Sequence, residues 1–560
     1  MHTSWQPAAS ATSTTDTAPL VNGHVAGWWY GGQCSTDPEA IRRALLDIRR
    51  PVYFVEREGY YAVAQDGLAQ LGAAGAPAGA LPLLGFVGPL DPGQLGDQSF
   101  CFDYGIRYPY MTGSMANGIA SAELVEAAAR AGLLSSFGAA GQSIANIQKA
   151  IERLSANLGA TPFAFNLIHS PTEPAHEAAV VDLYLRSGLR LVEASAYLDL
   201  TYPAVRYRVF GIHRDAQGRV VAPNRIIAKA SRVEVASKWF APPPEALVAR
   251  MVQQGDITPE QAALAREIPM AQDLTAEADS GGHTDNRPAI TLVPTMLALA
   301  ERLQAQYGYT MPLRVGAAGG IATPASAAAA FAMGAAYVVT GSINQACIES
   351  GSSERVRQML AEAQQADVIM APAADMFEMG VKLQVLKRGT MFAMRASKLY
   401  ELYRGYGSLA ELPPAERQNL EKTMFRISVD EVWDKTREFW QGRDPSQVER
   451  ALRDPKHQMA LVFRWYLGLS SRWANVGEAT RQIDYQVWCG PAMGAFNEWV
   501  QGSYLESPQN RQVAVVALNL LYGAAVAARV ASLRNQGVRL DANLTRVAPL
   551  EPAQLQGYLH

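Results

Sequence analysis

From Arg107 onward the sequence keeps one rhythm: a short β-rich run, then an alanine-rich stretch of helical composition. The β-rich runs are "RYPYMTGS", "GLLSSFGAA", "PFAFNLIH", "LRLVEASA", "NRIIAKAS", "DLTAEADS", "LRVGAAGG" and "AYVVTGS", eight in all. Segments such as "SAELVEAAARAG" and "TPASAAAAFAMGA" separate them. Strands that alternate with helices pair in parallel, and eight such units closed on themselves make a (β/α)8 barrel of the α/β class. The rival is an open doubly wound sheet, but the first turn, "YMTGSMANG", lacks the GxGxxG spacing usual there.

This rhythm divides the chain. Residues 1–24 are rich in Ser, Thr, Ala and Pro and read as a disordered lead. Residues 25–104 form a small mixed region, in which "PVYFVEREGYYAVAQ" reads as a hairpin turning at Glu56–Gly59. The barrel occupies 105–360, and 361–560 is a helical, tryptophan-rich region expected to fold back as a substrate lid. Between the fifth and sixth strands a long insertion from Ser231 to Gln272, rich in proline and charged helical pieces, reads as an excursion over the barrel mouth.

Several function classes are excluded by bulk properties. A net charge of −3 and a pI near 6.3 give no basic surface of the kind nucleic acid requires. The four cysteines are scattered, without zinc-module spacing or a disulfide framework, so a reducing cytoplasm is expected. The N-terminus has neither the basic nor the apolar segment of a secretory signal. The uncharged run Gln512–Ala528 falls short of the ~20 residues a membrane span needs and reads as a buried helix.

Chemistry concentrates at the strand ends. Gly319-Gly320 before Thr323-Pro324, and Gly341-Ser342 one unit later, are glycine loops opening helices, the arrangement barrels use for phosphate. Met111, Thr112 and Gly113 end the first strand with residues that let a planar ligand approach. Asn166 interrupts an apolar run, as either a ligand-facing or a satisfied core amide. Lys229 ends the fifth strand, where it can pair with a phosphate or a reduced flavin, form a Schiff base, or simply be solvated. His283 follows Gly281 and Gly282 in "ADSGGHTDNRPA", and imidazole is the usual proton donor or acceptor near neutral pH. Asp279, His283 and Asp285 match no metal-ligand spacing, so no metal is expected.

The motifs "ADSGGHTDNRP", "VGAAGGIATPASAAAAFAMGAAYVVTGSINQ" and "YQVWCGPAMGAFNEWVQGSYLE" together resemble the PfaD-type trans-acting enoyl reductases of polyunsaturated fatty acid synthases and trans-acyltransferase polyketide synthases. The wider relatives are FMN-dependent bacterial enoyl reductases and nitronate monooxygenases. The resemblance runs from Pro51 almost to the C-terminus, and its third motif lies outside the barrel. It implies FMN at the barrel mouth, held by Met111, Thr112, Gly113, Asn166, Lys229, Gly281, Gly282, Gly319, Gly320, Gly341 and Ser342, with His283 as the active-site histidine. It further implies NADPH or NADH as reductant, an enoyl thioester carried by an acyl carrier protein, polyketide synthase modules as partners and a possible homodimer. The first strand departs from the wider family's "PMAG" pattern. The stretch bearing Lys382, Lys387, Arg388, Arg395, Lys398 and Arg404 is a candidate basic docking face for the carrier. The rivals are a nitronate monooxygenase-like oxidase, a lysine-based lyase and a structural protein that has lost its flavin.

Overall fold

The computed structural model describes residues 25–72, 75–169 and 173–559; the expected disordered lead, 1–24, lies outside them. All eight expected strands form: β1 Tyr110–Thr112, β2 Leu134–Phe137, β3 Ala164–Ile168, β4 Leu191–Ser195, β5 Arg225–Ala230, β6 Asp273–Glu277, β7 Arg314–Ala318 and β8 Val338–Thr340. They pair in parallel and close into a barrel in sequence order, β8 returning to β1 through Val338–Tyr110 and its neighbours. Helices separate most of them, each burying its apolar side on the sheet; Ala122–Arg130, for example, is capped by Ser121 and buries Leu124, Val125 and Ala128.

Strand alternation decides what enters the lumen. The registers keep Met111, Leu134, Ala164, Leu191, Ile227 and Val339 on the inner face, where they share one core cluster. The helix Gln98–Tyr104, just before β1, supplies Phe100 and Tyr104 to that cluster and closes the N-terminal end. There Phe100 stacks on Tyr337 at 4.1 Å between ring centroids. Beside them the Arg314 guanidinium makes a two-pronged bond to Asp273, at 2.6 and 3.1 Å, and the Tyr104 hydroxyl donates to the same carboxylate at 2.6 Å.

The insertion after β5 does not cross the mouth. Its first helix, Val233–Phe240, ends against the entry to β6, where Ala271 N–H donates to the Trp239 carbonyl at 2.8 Å. Leu264 and Ile268 then bury against Ile212, packed with Met311. Ile212 and Met311 precede β5 and β7, so this packing lies at the opposite, N-terminal end of the barrel. Apolar helical faces announce burial without naming the wall they will cover, which is why the expectation failed.

After the barrel the chain is mostly helical, but it first makes a hairpin of Val368–Pro372 and Lys382–Leu386. The second strand also pairs with a short strand, Gly282–His283, from the loop after β6. The helices that follow bury a core of Phe392, Leu399, Phe425, Phe463 and Tyr466, against which Trp433, Trp465, Trp473 and Trp488 pack. The fully buried Asp484 carboxylate gathers Arg395, Arg426 and Arg481 there. The expected basic docking face is therefore broken up. Arg395 turns inward to Asp484, Arg388 pairs with Asp367 and Lys398 with Glu416.

The backbone divides into two compact units. One holds the barrel and most of the helical region, Pro92–Ala524 with Ala548–Gln556. The other joins the chain up to Asp91 with Ala525–Val547 and the residues from Gly557. Its five-stranded antiparallel sheet contains the expected hairpin, Val52–Arg57 paired with Tyr60–Ala64, turning through Glu58 and Gly59 at φ of 55° and 85°. Arg529, fully buried, donates to the carbonyls of Asp47 and Arg50 and so ties the late segment to the early one. Among the described residues one helix, Val513–Asn535, is long and apolar enough to cross a membrane, but 78% of its apolar window is buried within the protein.

Candidate active site

Toward the C-terminal ends of the strands the inner face changes from apolar to polar. Ser136, Asn166, Glu193, Lys229 and Glu277 keep the inward parity, as the pairings Asn166–Glu193, Glu193–Ile227 and Lys229–Thr275 require. Asn166 uses its amide hydrogens on the Glu193 carbonyl (3.1 Å) and the Ser195 hydroxyl (2.9 Å), so its Nδ2 is satisfied within the barrel. The Lys229 ammonium lies 2.7 Å from the Glu277 carboxylate. Burial alone would lower the lysine's pKa, but the charges of Glu277 and Glu193 outweigh it and hold Lys229 above its ordinary value. A Schiff base needs a neutral amine, so this lysine is placed as a fixed positive charge rather than as a nucleophile.

The sequence-derived residues divide according to this geometry. Gly113 opens on the lumen, its N–H donating to the Thr340 carbonyl at 2.9 Å. Met111 lies one layer deeper, in the core. Thr112 alternates to the opposite face and bonds the Ser135 hydroxyl, so β1 presents backbone, not that side chain, to the lumen. Gly320 and Gly341 have open space where a β-carbon would stand. Among the described residues no acceptor takes the amides of Gly320, Gly341 or Ser342. Thr323 and Ser326 cap the helix Pro324–Ala332 reciprocally, fixing the loop that carries Gly320. This is a cradle of free N–H groups suited to an anion such as phosphate.

Gly319 and Gly281 answer a different need. A β-carbon on Gly319 would stand 2.6 Å from the Ala278 carbonyl carbon, and one on Gly281 would stand 2.9 Å from backbone atoms of Cys489 and Gly490. Both permit loop to pack on loop. Gly490, in turn, donates its N–H to Ser342 Oγ at 3.2 Å. The segment Val487–Cys489 runs beside the strand Lys382–Leu386, with Leu386 N–H donating to the Val487 carbonyl at 2.9 Å. The three glycine-bearing motifs, distant in sequence, thus meet at one place.

His283 stands on the short strand of this loop, half-exposed, with Nε2 at 3.2 Å from Asp375 Oδ1. Burial would lower its pKa, but the bond to Asp375, then the charges of Asp375 and Glu277, raise it above the ordinary histidine value. Asp375 shifts the other way: desolvation raises it, but the bond and charge of His283 prevail and hold it below the usual carboxylate range. The rest of the loop is braced. Asp285 receives a two-pronged bond from Arg232, both contacts at 2.9 Å, and one from Ser231. Asn286 and Gln384 both donate to Asp279, each at 2.8 Å. Asp279, His283 and Asp285 therefore face three different partners.

Sequence reasoning passed over Glu193, Glu277 and Asp375. The first two carried a signal, an acid at an inward position of an otherwise apolar strand ("LVEAS", "LTAEA"). Asp375 carried none, since only the fold brings it to His283. His169 also reaches a strand end, but it alternates outward. There the buried Glu177 accepts from His169 at 2.8 Å and from Tyr197 at 2.9 Å, binding the loops after β3 and β4 together.

Comparison with known proteins follows the same division. Residues 102–400 match the family model described as nitronate monooxygenase, and residues 406–485 match that of the inserted helical domain of [acyl-carrier-protein] S-malonyltransferase. The chain is 49% identical to a polyunsaturated fatty acid synthase protein of Thraustochytrium sp. over 80% of its own length. It is 43% identical to polyketide biosynthesis protein PksE of Bacillus subtilis over 77%. It spans 30% of the first relative and 56% of the second. The crystal structure of the enoyl reductase domain of MlnA, from the macrolactin cluster of Bacillus amyloliquefaciens, superposes with a TM-score of 0.75 at 38% identity, covering 79% of this chain and 99% of that domain.

Proposed function

Because this chain belongs to the nitronate monooxygenase family, we propose that it acts within that family as an FMN-dependent enoyl reductase on 2-enoyl thioesters. The observation that carries this reading is its likeness to a solved enoyl reductase domain along nearly that domain's whole length, helical region included. The site residues fit the cofactor. The free amides of Gly320, Gly341 and Ser342 would hold its phosphate, and the polar lumen layer of Asn166, Glu193 and Lys229 would meet its ring. Once bound, and reduced by NADPH or NADH, FMN supplies a hydride equivalent to the thioester's β-carbon.

This chain's residues do the rest. Lys229, fixed as a cation by Glu277, offers positive charge at the lumen face of the site. His283, whose protonated form Asp375 favours, offers a hydrogen bond to the thioester oxygen, where negative charge develops, or the proton for the α-carbon. The braced loop holds the imidazole in place, and its partial exposure leaves it open to substrate. The kinship with fatty acid and polyketide synthase proteins supports a substrate borne on an acyl carrier protein, presented by synthase modules in the cytoplasm.

The purified protein is expected to show a flavin spectrum and to turn over NADPH anaerobically, beyond the single equivalent that reduces its flavin, only when a crotonyl-type thioester is present. A colourless protein, or turnover only with oxygen and nitronates, overturns the reading. The phosphate cradle makes a second expectation. Gly341→Ala has room for its methyl in the free protein but occupies the approach to the amides. It is expected to weaken FMN binding at least about tenfold, a loss of roughly 1.4 kcal/mol. The melting temperature of the flavin-free protein should stay unchanged. Equal FMN affinity in a flavin titration would remove Gly341 from the cradle.

A further inference from the structure

One acid in the lumen layer has half its bonding capacity unmatched. Glu193 on β4 is fully buried. Its Oε2 accepts the Ser114 amide at 2.7 Å. Its Oε1 is buried with no hydrogen-bond partner among the described residues. That oxygen lies 3.5 Å from the point where a β-carbon on Gly113 would stand, so it borders the residue that follows β1 at the lumen. A buried carboxylate oxygen left without a donor is costly, so the missing hydrogen has to come from a group outside the chain.

The neighbours do not supply it. Asn166, on the adjacent strand, commits Nδ2 to the Glu193 carbonyl and to Ser195. Lys229, on the other adjacent strand, bonds Glu277 and contributes charge rather than a contact to Oε1. Ser136, two strands away on the same face, is also buried with an unpartnered hydroxyl oxygen. Among the described residues the layer thus leaves Glu193 Oε1 as a buried carboxylate acceptor without a donor, with Lys229 and Ser136 on either side of it. A ligand that satisfies it must bring one N–H between groups that accept. The pyrimidine edge of an oxidised isoalloxazine has that order: a carbonyl, the N3–H, and a second carbonyl.

We propose that Glu193 anchors the flavin ring by accepting the N3–H hydrogen through Oε1, an assignment that rests on FMN being the cofactor. Glu193 then serves as a binding residue that orients the ring over the lumen, while His283 serves the substrate. The carboxylate would also set the ring's preference, because an analogue without the N3 hydrogen leaves the acceptor buried and unmatched.

The test uses the full-length apoprotein, titrated with FMN and with 3-methyl-FMN. Hydrogen bonds to a charged partner correspond to affinity changes on the order of ten- to a hundredfold, so wild type should prefer FMN by at least about tenfold. In Glu193→Ala, which removes the acceptor and makes room for the methyl, the preference should fall below about threefold. Glu193→Gln keeps the shape and one acceptor oxygen, and should hold FMN with a reduced preference. Steric exclusion of the methyl is separated by NMR of FMN labelled with 15N at N3. The N3 proton should resonate downfield and exchange slowly in wild type, and move upfield in Glu193→Ala. An unchanged N3 proton, or an unchanged preference in Glu193→Ala, overturns the assignment while FMN stands as cofactor. Wild-type protein that binds no FMN overturns both.

Discussion

A His283→Ala variant is expected to lose about 10²- to 10⁴-fold in kcat on a 2-enoyl thioester, the usual contribution of a positioned acid or base. FMN content should be unchanged, because the loop is held by contacts the substitution leaves intact. Those are the bonds of Asp285 to Arg232, of Asp279 to Gln384, and the backbone pairing of His283 with Leu383. Anaerobic reduction of the flavin by NADPH should also proceed at the wild-type rate, so single-turnover kinetics would assign the defect to the step involving the thioester. The pH dependence gives an independent reading. Asp375 raises the His283 pKa, so the protonated donor persists above the ordinary value of 6.5 and activity falls as pH rises through the elevated one. Asp375→Asn removes the charge and should shift that limb to lower pH. The same pair sets a stability window. The contribution from His283 is present below pH 6.5 and disappears as pH rises through its raised folded value; that of Asp375 is present above 3.8 and disappears as pH falls through its lowered one. Full kcat in His283→Ala, or an unmoved limb in Asp375→Asn, would take the dyad out of the mechanism.

Arg314→Met should be the most destabilising single change to the barrel, by about 3–5 kcal/mol, the penalty for breaking a buried ion pair from one side. The Arg314 side chain is 2% exposed and that of Asp273 not at all, so the orphaned carboxylate could not recover its hydration. Tyr104 would remain as a donor at 2.6 Å, while Ser99 and Asp103 would lose their shared partner. Urea denaturation followed by tryptophan fluorescence measures the loss. Adding Asp273→Leu to the variant removes the unpaired charge and should recover part of the stability, since replacing both members of a buried pair is often close to neutral. A loss under about 1 kcal/mol in Arg314→Met would mean that apolar packing of Phe100 on Tyr337, rather than the ion pair, holds that end of the barrel.

The strands were legible because each shows a local apolar pattern between turn signals, and alternation with helices leaves few ways to close a parallel sheet. The Glu56–Gly59 turn was legible for a similar reason, since the chain there needs two left-handed residues. What failed in each case was a question about partners. The helices after β5 show apolar faces, yet the pattern does not say whether they cover the mouth or the opposite end. The row from Lys382 to Arg404 reads as a basic surface until Asp484, Asp367 and Glu416 arrive from elsewhere in the chain.

Sequence alone determined the eight-strand barrel and the polar and glycine-rich loops at the C-terminal ends of its strands. These follow from interactions between residues near one another along the chain. Only the tertiary structure decided that Gly281 serves the Cys489–Gly490 backbone, that Gly490 bonds Ser342, and that Asp375 meets His283. Such pairings depend on where segments roughly a hundred or more residues apart come to rest, and a close approach between two backbones leaves in each sequence only a glycine. The polar cluster around His283 is, in the folded chain, the point where the barrel and the region after it are joined.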